Sequence, residues 1–260
     1  MAELEEKKEV KEQAHRINDV ELVEPDSDVA DAYLRLQTNI SFSSVEKKIT
    51  CFALTSSAEA EGKTTTACNL AYLYAQKGLK VLLVDLDLRL PNVHHFLHMQ
   101  NKFGLVDVVK GEIPDYHDAI QHFKKGNFDV LTPGSHTPFP GKILDSKEIR
   151  DIFASARKEY DYIVVDTPPV LVVNDALSVA PYVDGFVLIT AQHVGRKSNV
   201  RDALNNMVSK GINVIGICMT MCDNYEDSGN GYGYGYGYGY GYGYGYSSYH
   251  KNRKDRSKRK

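Results

Sequence analysis

The chain has 260 residues, 42% hydrophobic and 25% charged, with a formal net charge of −3, the balance of a globular protein with room for one large domain or two small ones. No apolar run nears the roughly 20 residues of a membrane-spanning helix, and the acidic N-terminus lacks the apolar core of a signal peptide, so the sequence taken alone reads as cytoplasmic. The charge is uneven: Met1–Asp31 holds four basic and eleven acidic residues, and His250–Lys260 holds seven basic and one acidic, so the whole-chain balance says little about partners.

Residues 1–27, rich in Glu and Lys, read as a mobile arm. Val29, Ala32, Tyr33, Leu36 and Ile40 recur at helical spacing and predict an amphipathic helix from Asp28 to Ile40, with Asp28 as its N-cap. Ile49–Thr55 is a short apolar run suited to a strand, followed by the small-residue loop SSAEAEGK and a helix over Thr64–Gln76. Gly78 caps that helix. Val81–Val84 predicts a buried strand ending at Asp85, Phe128–Leu131 another strand, and Lys147–Glu159 a helix. Between Asp85 and Phe128 the pattern is mixed, with Gly104, Gly111 and Pro114. Tyr162–Val165 is a buried strand ending at Asp166, and strands over Gly185–Thr190 and Ile212–Met219 bracket a helix over Lys197–Ser209.

Continuous apolar strands alternating with helices predict an α/β domain over residues 28–223: a mostly parallel sheet, helices on both faces, P-loop NTPase-like. Ligands in such sheets bind beyond the carboxyl ends of the strands. Cys51, Cys68, Cys218 and Cys222 lack zinc-ligand spacing and read as buried or incidental thiols of a reducing compartment. After Asp223 the composition breaks. Gly231–Tyr246 is a strict Gly-Tyr alternation, whose glycines carry a large ordering entropy and pack nothing, so residues 224–260 read as a disordered Gly/Tyr-rich tail.

Gly62-Lys63-Thr64-Thr65 opens the helix after the first strand. A phosphate-binding loop needs backbone N–H groups at a helix N-terminus, a lysine for the β/γ-phosphates and a hydroxyl for Mg²⁺. Ser57 stands where the full motif has its first glycine, and the segment alone is also compatible with an ordinary strand-to-helix turn. Asp85 and Asp87, two apart after a buried strand, are expected to face the same way and to need compensation from Arg89 or Mg²⁺; a solvated cluster is the other reading. Asp166, before Thr167-Pro168-Pro169, is the expected partner of the Mg²⁺ held by Thr64. Nine of the 17 tyrosines lie at Tyr232, Tyr234, Tyr236, Tyr238, Tyr240, Tyr242, Tyr244, Tyr246 and Tyr249, a flexible ladder of phenols suited to accepting phosphate in a neighbour's cleft. A slippage product or a sticky aromatic segment would also look like this.

The GKTT loop, LLVDLDLRLP, YDYIVVDTPP and the terminal tyrosine cluster, in this order, resemble the bacterial tyrosine kinases of the capsular and exopolysaccharide type. The likeness is to their soluble cytoplasmic component as found in Gram-positive bacteria, and it runs from about Pro25 to the tail. It implies ATP and Mg²⁺ as cofactors, with nucleotide held at Gly62, Lys63, Thr64 and Thr65. It implies catalytic roles for Lys63, Asp85 and Asp87, with Asp85 as base or base-positioner, and a metal shell of Thr64, Asp87 and Asp166. The nine tail tyrosines become acceptors, phosphorylated in trans, in control of polysaccharide polymerisation and export. The implied partners are a membrane polysaccharide co-polymerase whose cytoplasmic tail completes the site, further copies of the chain and a cognate tyrosine phosphatase, with recruitment to the inner face of the membrane and no nucleic acid.

The sequence departs from that family at three points. Glu59-Ala60 replace Pro-Gly in the loop. Leu34 and Gln37 replace the two arginines of an E-x-x-R-x-x-R subunit-contact motif beginning at Asp31. The Gly-Tyr repeat is longer and more regular than the usual cluster. Two other functions remain open at this stage: a partition- or septum-positioning switch ATPase, against which Ala58 stands in place of a signature lysine, and a non-catalytic scaffold that binds nucleotide weakly. The basic end, Lys251–Lys260, suits anionic lipid headgroups at about 1 kcal/mol per residue.

Overall fold

The computed structural model describes residues 22–44, 48–192 and 194–223; most of the acidic arm and all nine tail tyrosines lie outside them. The first helix, α1 (Asp28–Phe42), buries Ala30, Gln37 and Ile40. Its N-cap is Ser27, not Asp28. The Ser27 hydroxyl accepts from the Ala30 N–H at 3.1 Å, while Asp28 falls inside the first turn, where its charge faces the positive end of the helix dipole. The chain is anchored before α1: Leu22 packs on the core and the Val23 N–H donates to Asn69 Oδ1 at 2.7 Å.

Seven strands follow: β1 (Cys51–Ser56), β2 (Val81–Asp85), β3 (Gln121–Phe123), β4 (Phe128–Leu131), β5 (Tyr162–Asp166), β6 (Gly185–Ala191) and β7 (Val214–Thr220). They form one sheet in the order β3-β4-β2-β5-β1-β6-β7, parallel except for β3, which pairs antiparallel with β4. Successive side chains of a strand point to opposite faces, and two cores result. Cys51, Ala53, Leu82, Val84, Ile163 and Val165 face α6 (Lys147–Glu159) and α8 (Lys197–Ser209), which contribute Ile149, Phe153, Ala203 and Met207. Phe52, Leu54, Leu83 and Val164 face α1 and α2 (Lys63–Gln76), which contribute Ile40, Ala67, Leu70 and Tyr74. Burial on both faces is why these strands read as unbroken apolar runs.

The central strands, α6 and α8 stand within two residues of their expected positions, and Gly78 takes φ 77° after α2, the left-handed conformation a helix stop requires. The short elements were not foreseen: α3 (Val93–Phe96), α4 (Leu105–Val109), α5 (Pro140–Leu144), α7 (Asp175–Ser178) and β3. Pieces this short carry no period. The last strand differs in kind. Its apolar run predicts burial, yet β7 is the sheet edge, and Ile217 and Met219 are more than half exposed. Among the described residues the four cysteines form no disulfide; Cys51 and Cys68 are buried, and Cys218 and Cys222 lie in and just beyond β7. No helix among the described residues is long and apolar enough to cross a membrane.

Candidate active site

Strands β2, β5 and β1 are neighbours, so the three motifs meet at one end of the sheet. The loop from Ser56 to Lys63 carries the chain from β1 into α2. Gly62 caps α2 with φ 85°, and a Cβ there would approach Thr220 Oγ1 to 3.3 Å. Ala60, in the place of the family's glycine, adopts the same left-handed region with φ 58°, at a cost of about 1–2 kcal/mol for a residue bearing Cβ. The loop thus keeps a left-handed residue at this position despite its Cβ. α2 has no side-chain cap and no acidic residue in its first turn. Its leading N–H groups, with the positive end of the helix dipole, are thus available to an anion.

Lys63, Thr64 and Thr65 line a cavity of about 840 Å³, together with Asp87, Arg89, His94, Pro168 and Met221 among others. The volume suits a nucleotide-sized ligand. Asp85 and Asp166 are not on the lining; both are buried, Asp85 fully.

The two carboxylates of the second motif do not face the same way. Asp85 ends β2, and its oxygens accept from the N–H groups of Asp87 at 3.0 Å, Asn92 at 3.2 Å and Val93 at 3.1 Å. It thereby folds the following loop back and holds the start of α3. Asp87 lies beyond the strand, accepts from the Leu90 N–H at 3.0 Å, and reaches the cavity. Arg89 forms no direct ion pair with either among the described residues, although its charge attracts Asp87. It forms a two-point ion pair with Asp175 of α7, Nε to Oδ2 at 2.6 Å and Nη2 to Oδ1 at 3.2 Å, which ties the second motif to the segment after β5.

Burial pushes the Asp85 carboxyl well above the ordinary range, and the neighbouring Asp166 charge adds to it against the backbone N–H groups. Asp166 rises to about 6, again chiefly through burial, with Lys63 and the Thr64 hydroxyl opposing. Asp87 is raised by burial and lowered in part by the Leu90 N–H and Lys63. Each shift favours the neutral acid until a cation arrives.

The Thr64 hydroxyl donates to Asp166 Oδ2 at 2.5 Å, joining the first motif to the third. Asp166 Oδ1 is buried and has no hydrogen-bond partner among the described residues. An unsatisfied carboxylate oxygen beside a threonine hydroxyl fits a divalent ion. Among the described residues no three His, Cys, Asp or Glu side chains form a metal cage. That suits Mg²⁺, which is commonly bound by one or two carboxylates together with substrate phosphates.

Three residues at the site went unseen in the sequence. Asp175 is identified only by its contact with Arg89. His94 lines the cavity with its Nδ1 buried and without a hydrogen-bond partner among the described residues, its pKa lowered by burial and by His95. Glu61 turns away from the cavity. Asp175 and His94 belong to no spacing pattern that sequence reading could use, and Glu61, although it stands in the loop motif, shows its role only through partners distant in sequence such as Thr190.

The model of the AAA domain family matches residues 53–195. The chain is 35% identical over 202 residues to tyrosine-protein kinase YwqD of Bacillus subtilis (strain 168), covering 78% of this chain and 85% of that protein. Among solved structures it resembles the chimerical protein CapA2B2 with a TM-score of 0.72 at 28% identity, over 75% of this chain and 86% of that one. It matches the kinase domain of Escherichia coli tyrosine kinase ETK with a TM-score of 0.72 at 30% identity, over 82% of each. The septum site-determining protein MinD of Pyrococcus horikoshii, at 24% identity and a TM-score of 0.54 over 65% of this chain and 68% of that one, shares the fold alone. With its P-loop, its cluster of buried carboxylates and this degree of likeness, the chain belongs to the bacterial tyrosine-protein kinase family, built on an AAA domain.

Proposed function

We propose that the chain transfers the γ-phosphate of ATP to the tail tyrosines of a neighbouring copy, chiefly Tyr232–Tyr246 and Tyr249, and thereby regulates capsular or exopolysaccharide polymerisation and export. The observation that carries this reading is the hydrogen bond from Thr64, on the lining of a cavity sized for a nucleotide, to the buried Asp166, whose other oxygen has no partner among the described residues. The tail supplies nine phenols, and the switch ATPases have no use for them.

In this reading the N–H groups of Gly62 to Thr65 hold the phosphates and Lys63 neutralises charge that builds on the β/γ oxygens. Thr64, Asp166 and Asp87 would hold Mg²⁺, whose charge would offset that of the transferring phosphates. Asp87, the carboxylate on the cavity side, is positioned to take the proton of an incoming phenol. A phenol with a pKa of about 10 needs such a base or a loose transition state. Asp85 acts as the base-positioner, through the loop that carries Asp87.

The same reading includes a membrane polysaccharide co-polymerase whose cytoplasmic tail completes the site, recruitment to the inner membrane face, assembly with further copies and removal of phosphate by a tyrosine phosphatase. The test is incubation of the full chain with labelled ATP and Mg²⁺, with and without that cytoplasmic tail. Phosphotyrosine that maps to residues 232–249 and disappears in Lys63→Met supports the proposal. Free phosphate alone indicates a switch ATPase, and neither product a scaffold.

A further inference from the structure

Glu61 lies within the phosphate loop, between two left-handed residues, Ala60 and Gly62, yet its side chain is fully buried and takes no part in the cavity lining. Its partners among the described residues are neutral donors. Oε2 accepts from the Ala58 N–H at 2.7 Å and from Ser57 Oγ at 3.0 Å, and Oε1 from Thr190 Oγ1 at 3.2 Å. The Glu61 carbonyl accepts from Thr220 Oγ1 at 2.8 Å. One residue thus ties the loop to itself and to the ends of β6 and β7. The surroundings are shaped for the carboxylate: a Cβ on Gly195 would come within 2.6 Å of Glu61 Oε1 and 2.3 Å of Thr190 Oγ1.

A left-handed residue that bears a Cβ, as Ala60 does beside Glu61, persists only where the surroundings over-determine it. Ala60 carries the steric penalty of a Cβ, and the hydrogen bonds of Glu61 to Ser57, Ala58, Thr190 and Thr220 oppose its relaxation. A buried carboxylate without a cation is itself costly unless several donors satisfy it, so this arrangement is out of place in a plain strand-to-helix turn. We propose that Glu61 is a positioning residue for phosphate binding: it holds the loop N–H groups in their anion-binding array from behind, without touching the nucleotide. The inference rests on the nucleotide-binding reading of the loop.

The test is calorimetric titration of Mg·ATP into the full chain as wild type, Glu61→Ala, Glu61→Gln and Gly195→Ala, with thermal unfolding of each in the absence of nucleotide. Removing the carboxylate frees the loop, and affinity should weaken about ten-fold or more. Glu61→Gln should stay within about three-fold of wild type, because one oxygen still accepts from Ser57 and Ala58 while the amide can donate to the Thr190 hydroxyl. Gly195→Ala, which presses on the carboxylate from outside, should weaken binding as Glu61→Ala does. Should Glu61→Ala not fold, Gly195→Ala decides: folded with unchanged affinity, it overturns the proposal. Wild-type affinity in Glu61→Ala overturns it too, and so does equal loss in the alanine and glutamine variants with equally lowered unfolding midpoints, the mark of a merely structural role. No binding by wild type would remove the nucleotide reading itself.

Discussion

Asp85 and Asp166 are register partners on adjacent parallel strands, and both carboxylates are buried. The Asp166 charge raises Asp85 on top of the cost of desolvation, and Asp166, raised chiefly by burial and further by Asp87, reaches about 6. A raised carboxyl makes the folded state bind protons that the unfolded chain has already released. Its contribution to stability is therefore present below the ordinary carboxyl range, near 3.8, and is lost as pH rises toward about 6. In chelator, without nucleotide, the unfolding midpoint of Asp166→Asn should fall less than that of wild type over that interval. Parallel curves would show that Asp166 ionises normally.

Asp85 and Asp87 should separate in their effects. Asp85→Asn directs an amide at the N–H groups of Asp87, Asn92 or Val93 and should lower stability by about 1–3 kcal/mol. Asp87→Asn keeps an oxygen for the Leu90 N–H and should leave the midpoint nearly unchanged. Autophosphorylation should nevertheless fall about 10²-fold or more if Asp87 takes the proton. Denaturant unfolding and phosphotyrosine rate, measured on both variants, check the split.

Lys63→Met should cut the rate of phosphotyrosine formation about 10²–10³-fold, the usual loss on removing one preorganised electrostatic group. Thr64→Val deletes the donor to Asp166 Oδ2 and should weaken Mg·ATP more than ATP in chelator. Equal weakening in the two conditions would argue that the hydroxyl serves only the fold.

Ala60→Gly removes a Cβ from a left-handed position. Relief of about 1–2 kcal/mol in the folded state is offset by the greater freedom of glycine in the unfolded chain, about 0.4–1 kcal/mol. The variant should be as stable as wild type or slightly more so, with Mg·ATP affinity no weaker. A lower unfolding midpoint would mean that the alanine side chain contributes contacts of its own.

Much of the fold was legible because the central strands are buried on two faces and the long helices on one. That imposes runs such as Tyr162–Val165 and stripes such as Ile149, Ile152, Phe153 and Ala156, periodic over enough residues to read. The P-loop and both acidic motifs were legible because their chemistry sits in contiguous residues at strand ends. Where a signal depends on a handful of residues, reading stopped: α3, α4 and β3 have no period, and Ser27 and Asp28 are equally good N-caps by residue type.

What the amino-acid sequence determined alone was the set of chemical groups and the strand ends that carry them. Tertiary structure decided which groups share a space. Strand order makes β5 the neighbour of both β1 and β2, which brings Thr64 onto Asp166 across 102 residues and Arg89 onto Asp175 across 86. It also turns Asp85 toward backbone donors while Asp87, two residues on, reaches the cleft. Hydrogen bonds and desolvation act over a few ångströms, and local spacing does not encode which distant residue will lie within that range.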